Sequence, residues 1–270
     1  MIKNLNGVPF HIEKCGSGRP LLLLHGFTGS LDAWQLLKPS MEKDFQLIRI
    51  DIIGHGKSGS PEDPDRYSME NAACDLKELF NQLHLDKVDV LGYSMGGRLA
   101  LSFAMLYPEC VDRLILESAS PGLRTAQERA NRRLHDRKMA ERIRAEGMRP
   151  FVDFWQSIPL FRTQQLLPAD KKQLLRDGRL ANSVQGLAGS LTGMGTGSQP
   201  SWWDRLQNLT IPVLLITGEA DTKFCRIAAE MNEWLGNSEW SVIHEAGHNT
   251  HLERPAEFIR ILRDDLLNRS

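Results

Sequence analysis

Six short apolar runs bounded by glycine or proline constrain this chain more than any other feature: PLLLLHGF, FQLIRIDIIGHG, KVDVLGYSMGG, VDRLILESASPG, IPVLLITGEAD and WSVIHEAGH. Runs of this length and continuity fit strands buried on both faces of a parallel sheet. Segments with helical character, such as SMENAACDLKELFNQLH and GGRLALSFAMLYP, lie between them. The pattern is βαβα, which predicts a mostly parallel central sheet flanked by helices. The longest uninterrupted apolar run, Leu21 to Leu24, is far too short to span a bilayer.

The alternation stops after Ser118 and resumes near Ile211. Between these points TAQERANRRLHDRKMAERIRAEG, FVDFWQSIPLF and LPADKKQLLRDGRLANSVQGL all read as helical. We therefore expect one α/β core from residues 1–120 and 205–270, carrying a helical cap inserted over 121–204. The exit TGMGTGSQP, with Gly193, Gly195 and Gly197, reads as a flexible connection, since it neither follows a buried strand nor opens a clear helix as a nucleotide loop would.

Charge is distributed unevenly. The net charge of −1 argues against a nucleic-acid binder, but the interval from Pro121 to Asp204 holds 14 Lys and Arg against 8 Asp and Glu. A basic insert on an acidic body fits an anionic ligand as well as it fits solvated helix faces. Cys15, Cys74, Cys110 and Cys225 form no C-x-x-C pair or metal-ligand spacing, and the N-terminus lacks a secretory pattern, so reduced thiols in the cytosol are expected. No H-E-x-x-H or clustered acidic motif calls for a metal, and no cofactor is expected.

The chemistry concentrates in VDVLGYSMGGRLA, where a strand runs into a helix through G-x-S-x-G. Such a turn needs small neighbours, here Gly92 and Gly96, and holds the Ser94 hydroxyl clear of the sheet at a helix N-terminus. A serine nucleophile or relay needs a base, and the base an orienting acid. Asp221 follows the strand VLLITGEAD and His248 follows WSVIH, giving the chain order Ser, Asp, His. Glu219 and Glu117 compete for the acid, and His244 and His251 for the base. Backbone N–H donors for a developing oxyanion would come from Met95 and from the loop LLLLHGFTGS, at Phe27.

Taken together, HGFTGS, DIIGHGKSG, GYSMGGR, GEADTKF and AGHNTHLERP resemble the α/β-hydrolase superfamily over nearly the whole chain. GYSMGGRLA, ESASPGLR, the arginine-rich opening of the cap, DTKF and AGHN are similar, more narrowly, to the 2-succinyl-6-hydroxy-2,4-cyclohexadiene-1-carboxylate synthases of menaquinone biosynthesis. That resemblance implies an α/β-hydrolase fold with an inserted helical cap, and a lyase that eliminates pyruvate instead of hydrolysing an ester. It implies a polycarboxylate substrate bound by Arg98, Arg132 and Arg179, with Tyr93, Trp155 and Lys223 also at the pocket. Arg133 and Arg137 rival Arg132 in register, and Arg176 rivals Arg179.

Arg98 shares a helix face with Ser94, four residues on. A guanidinium in a partly dry pocket needs an anion, which could be internal, from Glu117 or Asp51, or could be the substrate. In the mechanism the resemblance implies, His248 oriented by Asp221 activates Ser94 to take a ring proton, while the Phe27 and Met95 N–H groups hold the succinyl carbonyl oxygen. The rival expectations are a serine hydrolase of carboxylate-bearing esters or C–C bonds, and a non-catalytic ligand-binding protein. A monomer acting on a small molecule, away from membranes, is expected.

Overall fold

The computed structural model describes residues 1–267. Its strands are β1 (Ile2–Leu5), β2 (Val8–Cys15), β3 (Arg19–Leu24), β4 (Phe45–Ile50), β5 (Val88–Tyr93), β6 (Val111–Glu117), β7 (Val213–Gly218) and β8 (Ser238–Ile243). They form one sheet in the order β1-β2-β4-β3-β5-β6-β7-β8. All six apolar runs become the strands β3 to β8, which pair in parallel. Leu21 to Leu24 and the whole of β5 are buried, as strands covered on both faces must be.

The antiparallel β1 and β2 were not among the apolar runs, because β2 is covered on one face only. Val8, Phe10 and Ile12 point inward while Pro9 is exposed and His11 and Glu13 are half-buried. The signal that could have found this hairpin is Asn6-Gly7, whose φ values of 48° and 87° are the left-handed pair of a two-residue hairpin turn.

The helices are α1 (Lys38–Met41), α2 (Met69–Leu83), α3 (Met95–Leu106), α4 (Ala126–Glu146), α5 (Met148–Trp155), α6 (Ala169–Leu180), α7 (Val184–Met194), α8 (Thr222–Trp234), α9 (Thr250–Glu253) and α10 (Pro255–Leu267). Ser68 caps α2 by accepting the Asn71 N–H, and Met69, Ala72, Ala73, Leu76 and Phe80 form its buried stripe at helical spacing. Among the described residues no helix is long and apolar enough to cross a membrane.

The sheet order reverses at β3, which has β4 on one side and β5 on the other. In open parallel sheets the ligand crevice lies past the strands' carboxyl ends at such a point. Here Leu24 pairs with Gly92, so the loop after β3 and the turn after β5 leave the sheet side by side.

Helices α4 to α7 occupy the interval between β6 and β7. Thr125 and Glu128 form a reciprocal capping box that starts α4. These helices have a small core of their own, made of Ala140, Ile143, Phe151, Val152, Leu187, Ala188 and Leu191, with Phe27 from the sheet's crevice packed against it. The glycine-rich exit is not slack. A Cβ on Gly193 would strike Tyr67, one on Gly195 would meet Leu191 and Asp136, and one on Gly197 would strike the Arg132 and Arg133 backbone. These glycines are where α7 and its exit approach the core and α4 most closely, so tight packing, not flexibility, accounts for them.

Candidate active site

Ser94 sits between β5 and α3 with φ 51° and ψ −105°, a region that a serine enters only when its surroundings hold it there. The surroundings are the glycines. A Cβ at Gly92 would collide with the Gly96 carbonyl, and one at Gly96 would collide with the carbonyls of Leu24 and His25. The turn is closed by the Ser94 N–H donating to the Glu117 carbonyl at 2.8 Å and the Arg98 N–H donating to the Ser94 carbonyl at 3.0 Å.

His248 Nε2 lies 2.9 Å from Ser94 Oγ, and His248 Nδ1 lies 2.6 Å from Asp221 Oδ2. His248 is 1% exposed and Asp221 8%, so the chain of hydrogen bonds runs through a nearly dry interior where its polarity is felt strongly. Asp221 is fixed in turn by its place at the start of α8, where its Oδ1 accepts the Phe224 N–H. The competing acids and bases pair among themselves. Glu117 accepts from His251, Thr250 Oγ1 and the His251 N–H in the core, and Glu219 meets His244 at the surface. Of these three candidate pairs, the Asp221 pair is the one that reaches Ser94.

Phe27, Ser94, Met95 and His248 line one cavity of ≈ 190 Å³. Met95 is the first residue of α3, so its N–H precedes the first intrahelical bond and is directed out of the helix end. Gly26 admits the Tyr93 ring against the loop backbone, and His25 braces the same loop. His25 Nε2 accepts the Ile52 N–H at 3.0 Å, while Nδ1 bonds to the Gly26 carbonyl at 2.8 Å.

Arg98 and Arg132 line the same cavity. Neither internal anion weighed for Arg98 takes it: Glu117 is held by His251 and Thr250, and Asp51 by His11, Leu31 N–H and Lys57 N–H. Arg98 Nη1 instead donates to the Met194 carbonyl at 2.7 Å and to Gln199 Oε1 at 3.0 Å, both neutral acceptors. Burial first, and then the neighbouring charge of Arg132, bring its pKa down to about 10, which leaves it a cation at neutral pH. Arg132 is held by Asp136, its Nε 2.8 Å from Oδ1 one helical turn away. Two guanidiniums thus face one serine-bearing cavity.

Residues 19–255 match the alpha/beta hydrolase fold family. A putative 2-succinyl-6-hydroxy-2,4-cyclohexadiene-1-carboxylate synthase of Bacillus subtilis (strain 168) is 50% identical over 263 residues, covering 97% of this chain and 96% of its own. The chain belongs to the 2-succinyl-6-hydroxy-2,4-cyclohexadiene-1-carboxylate synthase family. Another member, from Escherichia coli O1:K1, is 31% identical over 90% of this chain and 91% of its own. The solved structure of MenH from S. aureus superposes with a TM-score of 0.91 at 31% identity, covering 96% of this chain and 97% of that one. A malate-bound thermophilic esterase from Thermogutta terrifontis also superposes, with a TM-score of 0.86 at 27% identity over 99% and 97% of the two chains. The synthases therefore share their scaffold with hydrolases, and the scaffold alone does not separate the two chemistries.

Of the residues that resemblance to the synthases singles out, Tyr93, Arg98, Arg132, Trp155 and Lys223 line the Ser94 cavity and Arg179 does not. The Arg179 guanidinium lies over the Phe161 ring at 5.1 Å and is bonded to Gln164 Oε1 at 2.8 Å, and Arg179 lines a separate cavity between α6 and the segment 156–165 with Lys172 and Arg176. Arg176 pairs with Asp153, and Arg133 donates to the Gly197 carbonyl at 2.9 Å, so these rivals in register have structural partners. Trp155 packs edge-on to Phe27 at 5.3 Å. Tyr93 keeps its proton, because burial and then Glu117 push its pKa well above the usual value. Sequence reasoning assigned no pocket role to Phe161, Phe224, Ser118 or Ser190, which also line the wall. They come from four separate segments; Ser118 and Phe224 lie within ESASPGLR and DTKF, whereas none of the motifs that carry the resemblance contains Phe161 or Ser190.

Two buried histidines support the crevice of this chain and carry a pH signature. His55 packs edge-on to His25 at 5.2 Å and to Phe27 at 5.7 Å. Burial, and then the nearby His25, lower its pKa to about 3, while Ile53 and Asp51 oppose the shift; burial lowers His25 also, against the pull of Asp51. Below the ordinary histidine pKa of about 6.5 the unfolded chain binds protons that the folded chain refuses. Stability is therefore complete above that pH and declines as pH falls from there towards 3. The urea midpoint of the parent should drop between pH 7 and pH 4, and His55→Asn should flatten that dependence. An equal slope in the variant would remove His55 from the account.

Proposed function

We propose that the chain removes pyruvate from 2-succinyl-5-enolpyruvyl-6-hydroxy-3-cyclohexene-1-carboxylate, leaving 2-succinyl-6-hydroxy-2,4-cyclohexadiene-1-carboxylate. The observation that carries this reading is the conjunction, in one cavity, of the Ser94–His248–Asp221 chain with the Arg98 and Arg132 cations. A simple ester offers nothing to two guanidiniums. A ligand with ring, succinyl and enolpyruvyl carboxylates offers them charge-assisted partners, and Arg98 has its fork already aligned by Met194 and Gln199.

The chemistry follows from the substrate's own connectivity. The proton on ring C2 is acidified by the adjacent succinyl carbonyl. Ser94 Oγ, hydrogen-bonded to His248 Nε2, takes that proton as His248 takes the serine's, and Asp221 stabilises the imidazolium. Charge develops on the carbonyl oxygen, where the Phe27 and Met95 N–H groups meet it. The electron pair then forms the C2=C3 double bond, the former C3=C4 pair moves to C4=C5, and the C5–O bond breaks. The departing enolate takes up a proton and becomes pyruvate. No water is consumed and no acyl-enzyme forms. Aromatic walls from Phe27, Trp155, Phe161 and Phe224 keep the crevice apolar around these steps. The four free cysteines fit a reducing cytosolic setting for the reaction.

A coupled pyruvate assay on the intermediate, with a simple ester of similar size in parallel, tests this reading. Stoichiometric pyruvate and diene without ester turnover is the expected result. Ester turnover with covalent labelling of Ser94, and no pyruvate, would assign the chain to the hydrolases that share its scaffold.

A further inference from the structure

Ser118 and Trp155 are the two cavity-lining residues, among those described, with a buried side-chain polar atom that has no partner, and of the two only Ser118 also has a strained backbone. It follows β6 directly, so the Glu117 carbonyl that closes the Ser94 turn belongs to the preceding residue. Its backbone is held at φ 47°, in the left-handed region that serine enters at a cost. Its N–H is satisfied by the Ile216 carbonyl at 2.9 Å, but its hydroxyl oxygen, in a residue 0% exposed, has no hydrogen-bond partner among the described residues. Ser118 lines the same cavity as Ser94, Arg98 and Arg132.

Two unfavourable features at one residue need a compensating gain. Glycine would relieve the backbone, and alanine would remove the orphaned hydroxyl, and this chain uses neither. Two neighbouring hydroxyls are already engaged: Ser190 Oγ reaches Met95 Sδ at 3.5 Å, and Ser102 Oγ, one turn beyond Arg98, donates to the Arg98 carbonyl at 2.9 Å. A buried, unpaired hydroxyl on the wall of a ligand cavity is a hydrogen bond waiting for a ligand.

We infer that Ser118 is a substrate-binding residue, whose hydroxyl donates to an oxygen of the bound polycarboxylate on the wall it shares with Arg98. This rests on the lyase reading above for the identity of the ligand, not for the existence of the contact. The bond is made on binding and persists through elimination, so it contributes uniform binding and belongs in KM more than in kcat.

The test uses Ser118→Ala, which removes the hydroxyl and keeps a side chain at positive φ, and Ser118→Gly, which removes both costs. Each variant should raise KM for the intermediate about tenfold with kcat changed less than threefold, and Ser118→Gly should melt at or above the parent's temperature. The dissociation constant of the intermediate is measured by calorimetry in a Ser94→Ala background, where binding is read without turnover. A tenfold weaker constant on adding Ser118→Ala supports the inference even if the parent released no pyruvate, in which case the lyase reading alone would fall. KM and dissociation constants within twofold of the parent in both variants overturn it. So does a loss of activity that tracks a lowered melting temperature in both, since that is the mark of a structural hydroxyl.

Discussion

Ser94→Ala should lower kcat for pyruvate release by roughly 10²- to 10⁴-fold, the range that a positioned acid–base group contributes, while changing the affinity for the intermediate little. The geometry sets both halves of this expectation. Ser94 Oγ is the atom of the relay that projects into the cavity, with His248 Nε2 2.9 Å behind it, so removing it leaves the base one atom short of the substrate's proton. The groups that hold the ligand, Arg98 and Arg132, are pinned by Met194, Gln199 and Asp136 without help from the serine. Because Ser94 and His248 act as one unit, the Ser94→Ala/His248→Ala double variant should be about as slow as either single variant. The residual rate would come from the oxyanion N–H groups and the Arg98 and Arg132 guanidiniums, neither of which the substitutions touch. A steady-state comparison of the three variants decides the matter. Additive losses, with the double variant slower by the product of the two, would mean that serine and histidine act on separate steps, and the relay would have to be abandoned.

The contrast between what could be read from residue order and what could not is clearest at the acid and the base. From the sequence, Glu219 and Glu117 rival Asp221, and His244 and His251 rival His248; position after the strand favours Asp221 and His248, and the structure joins that pair to Ser94. Which acid meets which base depends on where β6, β7 and β8 end relative to one another, a quantity no single segment contains. The parallel register places Glu117 beside Ile216 and Gly218 beside Ile243, and from there each pair is set. The strand-to-helix turn at Ser94 was legible for the opposite reason: its requirements are local, two glycines and a helix start within five residues. The cap shows both cases. Its helices were readable from composition, whereas the roles of its glycines depended on Tyr67, Asp136 and Arg133, which lie far away in sequence. Arg179's position over the Phe161 ring depends on the path of the chain between α5 and α6, which residue order does not give.

Arg98 carries the second large effect. Arg98→Ala should lower kcat/KM for the intermediate about 10²-fold, in keeping with loss of one partner from a desolvated charge pair, and Arg98→Lys should recover only part of it. The partial rescue follows from the donors. One Nη1 is already committed to both the Met194 carbonyl and Gln199 Oε1, and these bonds aim the rest of the planar fork. A lysine ammonium has three donors on a flexible stem, so it can meet the carbonyl and the amide or meet a carboxylate, but it cannot present a fixed fork to the ligand while doing both. The charge itself is retained at neutral pH, because burial and Arg132 lower the guanidinium's pKa to about 10 and no further. Arg98→Ala also leaves the Met194 carbonyl, at the end of α7, without its donor, so part of the loss could be structural. Rescue separates the two contributions. Added guanidinium ion should restore activity to Arg98→Ala, since the cavity it enters is already walled and Arg132 is still in place, and it should leave Arg98→Lys unchanged. Small and equal effects of both substitutions, with no response to guanidinium, would reduce Arg98 to a strut between α3 and α7. The anionic substrate would then have to be held without Arg98, and the case for elimination over hydrolysis would lose its main physical support.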